Sequence, residues 1–258
     1  MSLPRKLLSL AILALLAPGA ARAEQFSALL FSQTAGWHHD SINAGVTAIR
    51  ALDDLHDFKV FWTEDPNRVF KDDELKKYKV VIFLCTSGDV LNDEQQAAFE
   101  RYIRAGGGYV GIHSASDTEY EWPWYTKMVG HMFRIHPPVQ TATVEVRDYD
   151  FPGMDRFPKR FLFTEEWYDF DKSRSDKLHY LLAVDEKTYK PQADWGARGR
   201  SDGMGDFHPI AWYQEYDGGR AFYTAFGHLA ATYSDAAFLH HVYGGIYWAA
   251  TGNGFKAE

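Results

Sequence analysis

Four of the eleven histidines stand where a chain could use them for chemistry. His38 is followed directly by His39 and Asp40. His113 closes the apolar run Tyr109 to Ile112 and precedes Ser114. His136 lies in Phe133-Arg134-Ile135-His136-Pro137, and His208 opens His208-Pro209-Ile210-Ala211-Trp212. Imidazole titrates near neutral pH, so such residues act as general acids and bases or, when neutral, as metal ligands. Carboxylates come from Glu165, Glu166 and Asp169 in Thr164-Glu165-Glu166-Trp167-Tyr168-Asp169. With one of these acids, His38, His113, His136 and His208 would form a three-histidine or two-histidine-one-carboxylate site for a divalent metal. No His-x-x-x-His pair occurs, so the ligands would have to converge from distant loops. A loop histidine also serves as a hydrogen-bonding surface residue, and that reading stands beside the chemical one.

Elements able to bring such loops together are legible in the first half. Phe26 to Phe31, Phe58 to Trp62, Val80 to Leu84 and Tyr109 to Ile112 are near-continuous apolar runs, as buried parallel strands require. Between them, Ile42, Val46, Ile49 and Leu52 recur at helical spacing after Asp40 or Ser41 as cap. Asn92 with Gln95 reads as a capping-box start to a second helix. Alternation of strand and helix predicts a parallel sheet covered on both faces. The loops after the first, third and fourth strands, Ala35 to Asp40, Thr86 to Asp89 and His113 to Thr118, then open on the carboxyl edge, where open α/β sheets bind ligands. The second half changes character. Thr141 to Arg147 alternates, Arg160 to Tyr168 and Leu178 to Val184 read as further strands, and Pro209 to Tyr216 and Arg220 to Ala225 flank the hairpin signal Asp217-Gly218-Gly219. Phe238 to Ala250 predicts a closing helix. The polar, Gly-rich stretch Lys187 to His208 is long enough to be functional or mobile.

The N-terminus sets the compartment. Arg5 and Lys6 precede an apolar run from Leu7 to Leu16, and Ala21-Arg22-Ala23 offers a small-x-small cleavage site. This is the pattern of a secretory leader over residues 1–23, too short to span a bilayer, with a single domain over 24–258. A periplasmic or secreted protein with no membrane contact after cleavage is expected. Cleavage lowers Lys+Arg from 27 to 24 against 35 Asp+Glu, a net charge of about −11, which argues against nucleic acid or anionic lipid as partner. The single cysteine, Cys85, forbids an intramolecular disulfide and reads as a small buried hydrophobe at a strand end.

Six segments in order carry a family resemblance: Gly36-Trp37-His38-His39-Asp40-Ser41, Gly106 to Ser114, Phe133 to Pro137, Glu166-Trp167-Tyr168, His208 to Trp212 and Gly227-His228. Together they resemble the trehalose-utilisation (ThuA-like) family from about Phe26 to Gly252. The resemblance implies an α/β fold similar to class I glutamine amidotransferases, a flavodoxin-like parallel sheet with helices on both faces, with added antiparallel strands in the C-terminal half. It also implies a small-molecule sugar as partner and a role in carbohydrate metabolism. Amidotransferases carry a cysteine nucleophile on the strand-to-helix turn. That position matches His113 here, and Cys85 lies on another strand, so glutaminase chemistry is excluded.

Two functions follow. The first is an enzyme acting on glycosides or keto-glycosides, a hydrolase, lyase or isomerase, with His113 and His38 as acid/base groups or ligands and Glu166 as their partner. Trp37, His39, Asp40, Ser114, Asp117, Arg134, Trp167, Tyr168 and Trp212 would contact the substrate. The second is a non-catalytic sugar-binding module on the same scaffold, since a fold does not carry function with it.

Overall fold

The computed structural model describes residues 24–255, so the expected leader, residues 1–23, lies outside the described residues. Nine strands form one sheet, in the order Lys59–Thr63, Ser27–Phe31, Val80–Leu84, Gly108–Ile112, Gly219–Thr224, His208–Tyr216, His179–Asp185, Gln140–Val146 and Arg160–Glu165. The first five are parallel and the remaining pairings are antiparallel. This is a flavodoxin-like sheet extended by four antiparallel strands, the fold class the sequence implied. Every residue of Val80–Leu84 and Gly108–Ile112 is buried, which explains their unbroken apolar runs.

Side-chain alternation along the strands assigns the helices to opposite faces. Phe83 stacks on Phe99 of helix Asp93–Arg104, with 5.6 Å between ring centroids. Leu84, on the other face, packs against Gly45 of helix Ile42–His56. Gly108 faces the carbonyl of Ala249 in helix Ala236–Thr251, too close to admit a β-carbon. The capping box is present: Gln95 N donates to Asn92 Oδ1 (3.0 Å) and Asn92 N to Gln95 Oε1 (2.9 Å). Ser41, at the N-cap of Ile42–His56, makes no capping bond, because its hydroxyl donates to Gly227 O (2.7 Å) across the carboxyl edge.

Three local differences from the sequence reading bear on the site. The strand expected to run from Arg160 to Tyr168 stops at Glu165, where the side chain turns to cap a neighbouring loop. Asp169–Phe170 pairs separately with the short strand Phe133–Ile135. The long stretch before His208 is built around a miniature hairpin, Ala193–Asp194 with Arg200–Ser201, closed by the turn Gly196–Arg198. Among the described residues, no helix is long and apolar enough to cross a membrane.

Candidate metal centre

The three loops predicted to meet at the carboxyl edge are tied together by their backbones. Ala35 N donates to Ser87 O (2.7 Å), Gly88 N to Asp117 O (2.8 Å), and Ser87 Oγ to Trp37 O (2.7 Å). His113 is the first residue beyond strand Gly108–Ile112 and holds φ +54°, a left-handed conformation that costs a non-glycine residue on the order of 1 kcal/mol. Tyr223 secures it by donating to His113 O (2.7 Å). The same turn carries the catalytic cysteine in the amidotransferase comparison, and here it aims an imidazole.

Four ionisable side chains from four loops converge on it. The ligand-type atoms of His39, His113, Glu166 and His228 all lie within 4.8 Å of one another. His113 Nε2 is 3.2 Å from His39 Nε2 and 3.5 Å from Glu166 Oε2, and His228 Nδ1 is 3.0 Å from the same oxygen. His136 Nε2 approaches Glu166 Oε1 at 3.1 Å from the fifth side. Ligand atoms about 2.1 Å from one ion are separated by roughly 3.0–3.4 Å along octahedral or tetrahedral edges, so these contacts have the spacing of a coordination shell.

Hydrogen-bond accounting points the same way. His113 Nδ1 donates to Ala225 O (2.8 Å) and His136 Nδ1 to Pro137 O (2.9 Å), which leaves both Nε2 atoms as acceptors. Ser114 Oγ, 3.2 Å from His39 Nδ1, can fix His39 in the same tautomer. In that tautomer the Nε2 lone pairs of His113 and His136 face the Glu166 carboxylate, and two acceptors repel unless a proton or a metal cation lies between them. His228 Nδ1 is buried without a well-aligned hydrogen bond despite its proximity to Glu166. Backbone carbonyls orienting ligating imidazoles are the usual outer shell of such a centre.

The electrostatics suit His39, His136 and Glu166 as ligands, whereas a metal at His228 would have to displace a proton. Burial, reinforced by His113 and His228, pushes His39 down to about 2, so it stays neutral at physiological pH. Burial also lowers His136. Burial opposes ionisation of Glu166, yet the rings of His113 and His228 beside it outweigh burial and hold the carboxyl well below the usual range. For His228 burial is likewise outweighed, by Glu166, and its pKa is raised.

Above the cluster opens a cavity of about 720 Å³, walled by Trp37, Phe133, Tyr168 and Trp195 and edged by Asp117 and Arg198. Tyr168 Oη reaches His113 Nε2 at 2.9 Å, and burial keeps its phenol protonated. Glu165, fully buried, accepts from three consecutive amides, Gly227 N (2.6 Å), His228 N (3.1 Å) and Leu229 N (3.2 Å), and so fixes the loop that carries His228. Gly227, at φ +124°, makes the turn, where a β-carbon would meet Tyr233 Oη at 2.6 Å.

The candidates from sequence divide clearly. His113, Glu166, His39, His136, Ser114 and Tyr168 come together, and Trp37 and Asp117 line the cavity. His38 is exposed and lies 3.2 Å from Thr34 Oγ1, while Asp40 and Arg134 are exposed outside the cluster. Trp167 and Trp212 are core residues whose indoles donate to Gln140 O (3.0 Å) and Val129 O (2.6 Å). His208 belongs to a second group with Asp169 and Glu186: its Nε2 donates to Tyr168 O (2.8 Å), and its Nδ1 lies 2.7 Å from Glu186 Oε1. The sequence reading passed over His228, Phe133, Trp195, Arg198 and Glu186. His228 carried a usable signal, because it follows the apolar strand Gly219–Thr224 by four residues, as His113 directly follows Gly108–Ile112. Cys85 is buried, and its thiol is pushed up to about 12 by that burial.

Fold and site together describe an amidotransferase-like α/β protein whose turn position carries histidine within a histidine-carboxylate centre. The chain belongs to the ThuA, trehalose-utilisation family, whose sequence profile matches residues 27–249. Among solved structures it is similar to a ThuA-like protein from Bacteroides uniformis, with a TM-score of 0.72, 24% identity, and coverage of 90% of this chain and 94% of that one. A ThuA-like protein from Parabacteroides merdae gives a TM-score of 0.72 at 18% identity, covering 90% and 92%. The fold also matches part of a beta-galactosidase from Bacillus circulans, with a TM-score of 0.51, 15% identity, and coverage of 90% of this chain and 31% of that one. No curated protein matches the sequence.

Proposed function

We propose that this chain is an exported enzyme of carbohydrate metabolism that acts on glycosides or keto-glycosides through a histidine-carboxylate centre holding a divalent cation, and that it is not a glutaminase. The observation that carries the reading is the convergence of His39, His113, His228 and Glu166 at coordination spacing on the floor of an aromatic-walled cavity. A divalent ion bound there would polarise a carbonyl or hydroxyl oxygen of the substrate as a Lewis acid. Trp37, Phe133 and Trp195 offer apolar faces on which a sugar ring can stack. The Tyr168 phenol, protonated and 2.9 Å from His113 Nε2, is placed to donate a hydrogen bond to an oxygen bound beside that nitrogen. A cavity of this size suits a mono- or disaccharide. The leader pattern supports export, and the family membership supports sugar as substrate. Amide hydrolysis from glutamine needs an accessible thiolate, which buried Cys85 does not offer.

The test is a product assay by NMR on the mature protein, with trehalose and with 3-keto-glucosides, each with and without a chelator. Conversion that chelation abolishes, and that His113→Ala loses, is the expected result. Binding of the sugars without conversion under any metal supplement would instead establish a non-catalytic sugar-binding module.

A further inference from the structure

Asp117 closes the 3-10 turn that starts at His113 and lines the cavity, yet the centre described above does not use it. Its Oδ1 lies 2.8 Å from Tyr120 Oη, and that same hydroxyl lies 2.7 Å from Phe133 O. A phenol has one proton, and a carbonyl can only accept. If Asp117 were ionised, two acceptors would compete for that one proton. If Asp117 is protonated, every donor is used: the Asp117 carboxyl donates to Tyr120 Oη, and Tyr120 donates to Phe133 O. Among the described residues, no protein group donates to Asp117 Oδ2.

From this chain of donors we infer that Asp117 is held as a neutral carboxylic acid and is the proton donor to the leaving-group oxygen when the enzyme cleaves a glycoside. The inference rests on the hydrolytic form of the function proposed above and adds the group that completes it. As the C–O bond breaks, its electron pair stays on the leaving oxygen, which takes the Asp117 proton. Water supplies its oxygen to the vacated carbon, and the proton that water sheds returns through bulk solvent to Asp117. Between those two proton transfers Tyr120 can rotate its hydroxyl toward Oδ1 and stabilise the carboxylate. Burial raises the Asp117 pKa. His39, His136, Glu166, His228 and Arg198 share the cavity with it, and the Tyr120 phenol is itself held protonated by burial.

General-acid loss has a signature that structural damage lacks: it depends on the leaving group. The probes are p-nitrophenyl and methyl 3-keto-glucosides, whose departing oxygens differ widely in basicity. Asp117→Asn keeps the shape and a donor toward Tyr120, and a melt near that of the wild type would show that it folds. It is expected to lose about 10²–10⁴-fold in kcat on the methyl glycoside and less than about tenfold on the p-nitrophenyl one. Its rate on the methyl glycoside should also lose the fall at high pH. Equal losses on both substrates, or no loss on either, would overturn the assignment while leaving the enzyme reading intact. Failure of the wild type to cleave either glycoside would overturn both.

Discussion

Glu165 is the residue through which the sheet holds the site, and its removal should be measurable as lost stability. Replacing it with Ala strands three buried amides, those of Gly227, His228 and Leu229, at positions where the carboxylate now accepts from them at 2.6, 3.1 and 3.2 Å. An unsatisfied buried donor costs about 1–3 kcal/mol, so three together cost roughly 3–6 kcal/mol, allowing for partial access of water. Burial pushes the Glu165 carboxyl up, so removing the charge returns some desolvation energy, which favours the lower part of that range. A domain of this size loses about 2–4 °C of Tm per kcal/mol, so Glu165→Ala should melt roughly 6–24 °C below the wild type. Glu165→Gln keeps one oxygen as acceptor but turns an amide donor toward the remaining N–H. It should fall between the two, at about 1–3 kcal/mol. Thermal denaturation followed by circular dichroism reads all three proteins. If Glu165→Ala melts within 1 °C of the wild type, the loop carrying His228 is not held by these bonds, and the account of how the site is assembled is wrong.

Three further outcomes follow from groups with shifted pKa values. His39 and His241 are held down to about 2 and about 3 by burial, so below the unfolded value of about 6.5 the unfolded chain takes up protons that the native one refuses. Stability should therefore fall by about 1.4 kcal/mol per histidine per pH unit as pH drops below 6.5. Urea melts at pH 7 and 5.5 would read it, and His241→Gln should remove about half of the slope. Its persistence unchanged would contradict the assignment. His228 works in the other window: its raised pKa gives stability present below about 6.5 that is lost as pH rises through the folded value, so Glu166→Gln should flatten that upper limb. Cys85 should resist a thiol reagent in the native protein over the time in which urea-unfolded protein reacts fully; rapid native labelling would show the strand end to be open. Trp37→Ala should raise KM several-fold with kcat little changed, because an exposed ring stacking on sugar contributes on the order of 1 kcal/mol.

The parallel half of the fold was legible because its central strands, Ser27–Phe31, Val80–Leu84 and Gly108–Ile112, are buried on both faces and therefore write continuous apolar runs. The Asn92 cap was equally plain, since both partners lie within four residues. The histidines were harder. His38 and His39 are neighbours with the same composition around them, yet His39 is buried beside Ser114 while His38 is exposed beside Thr34, a difference that depends on contacts distant in sequence. Trp167 and Trp212 looked like sugar platforms, but an indole that finds a backbone carbonyl can be buried at little cost, and no local pattern reveals that carbonyl. Trp195 and Arg198 reach the cavity only because a two-residue ladder folds the long loop back. Glu165 and Glu166 are adjacent and chemically alike, yet strand alternation sends one under the His228 loop and the other into the centre.

The central claim is that four side chains from distant loops hold one divalent ion. Calorimetric titration of chelator-stripped mature protein with zinc tests it most directly, alongside His38→Ala and His39→Ala, which differ by one position. The account predicts one ion per chain for the wild type and for His38→Ala, and binding weakened by at least tenfold in His39→Ala. Wild-type protein that takes up no zinc, or His39→Ala that binds as the wild type does while His38→Ala fails, would contradict it.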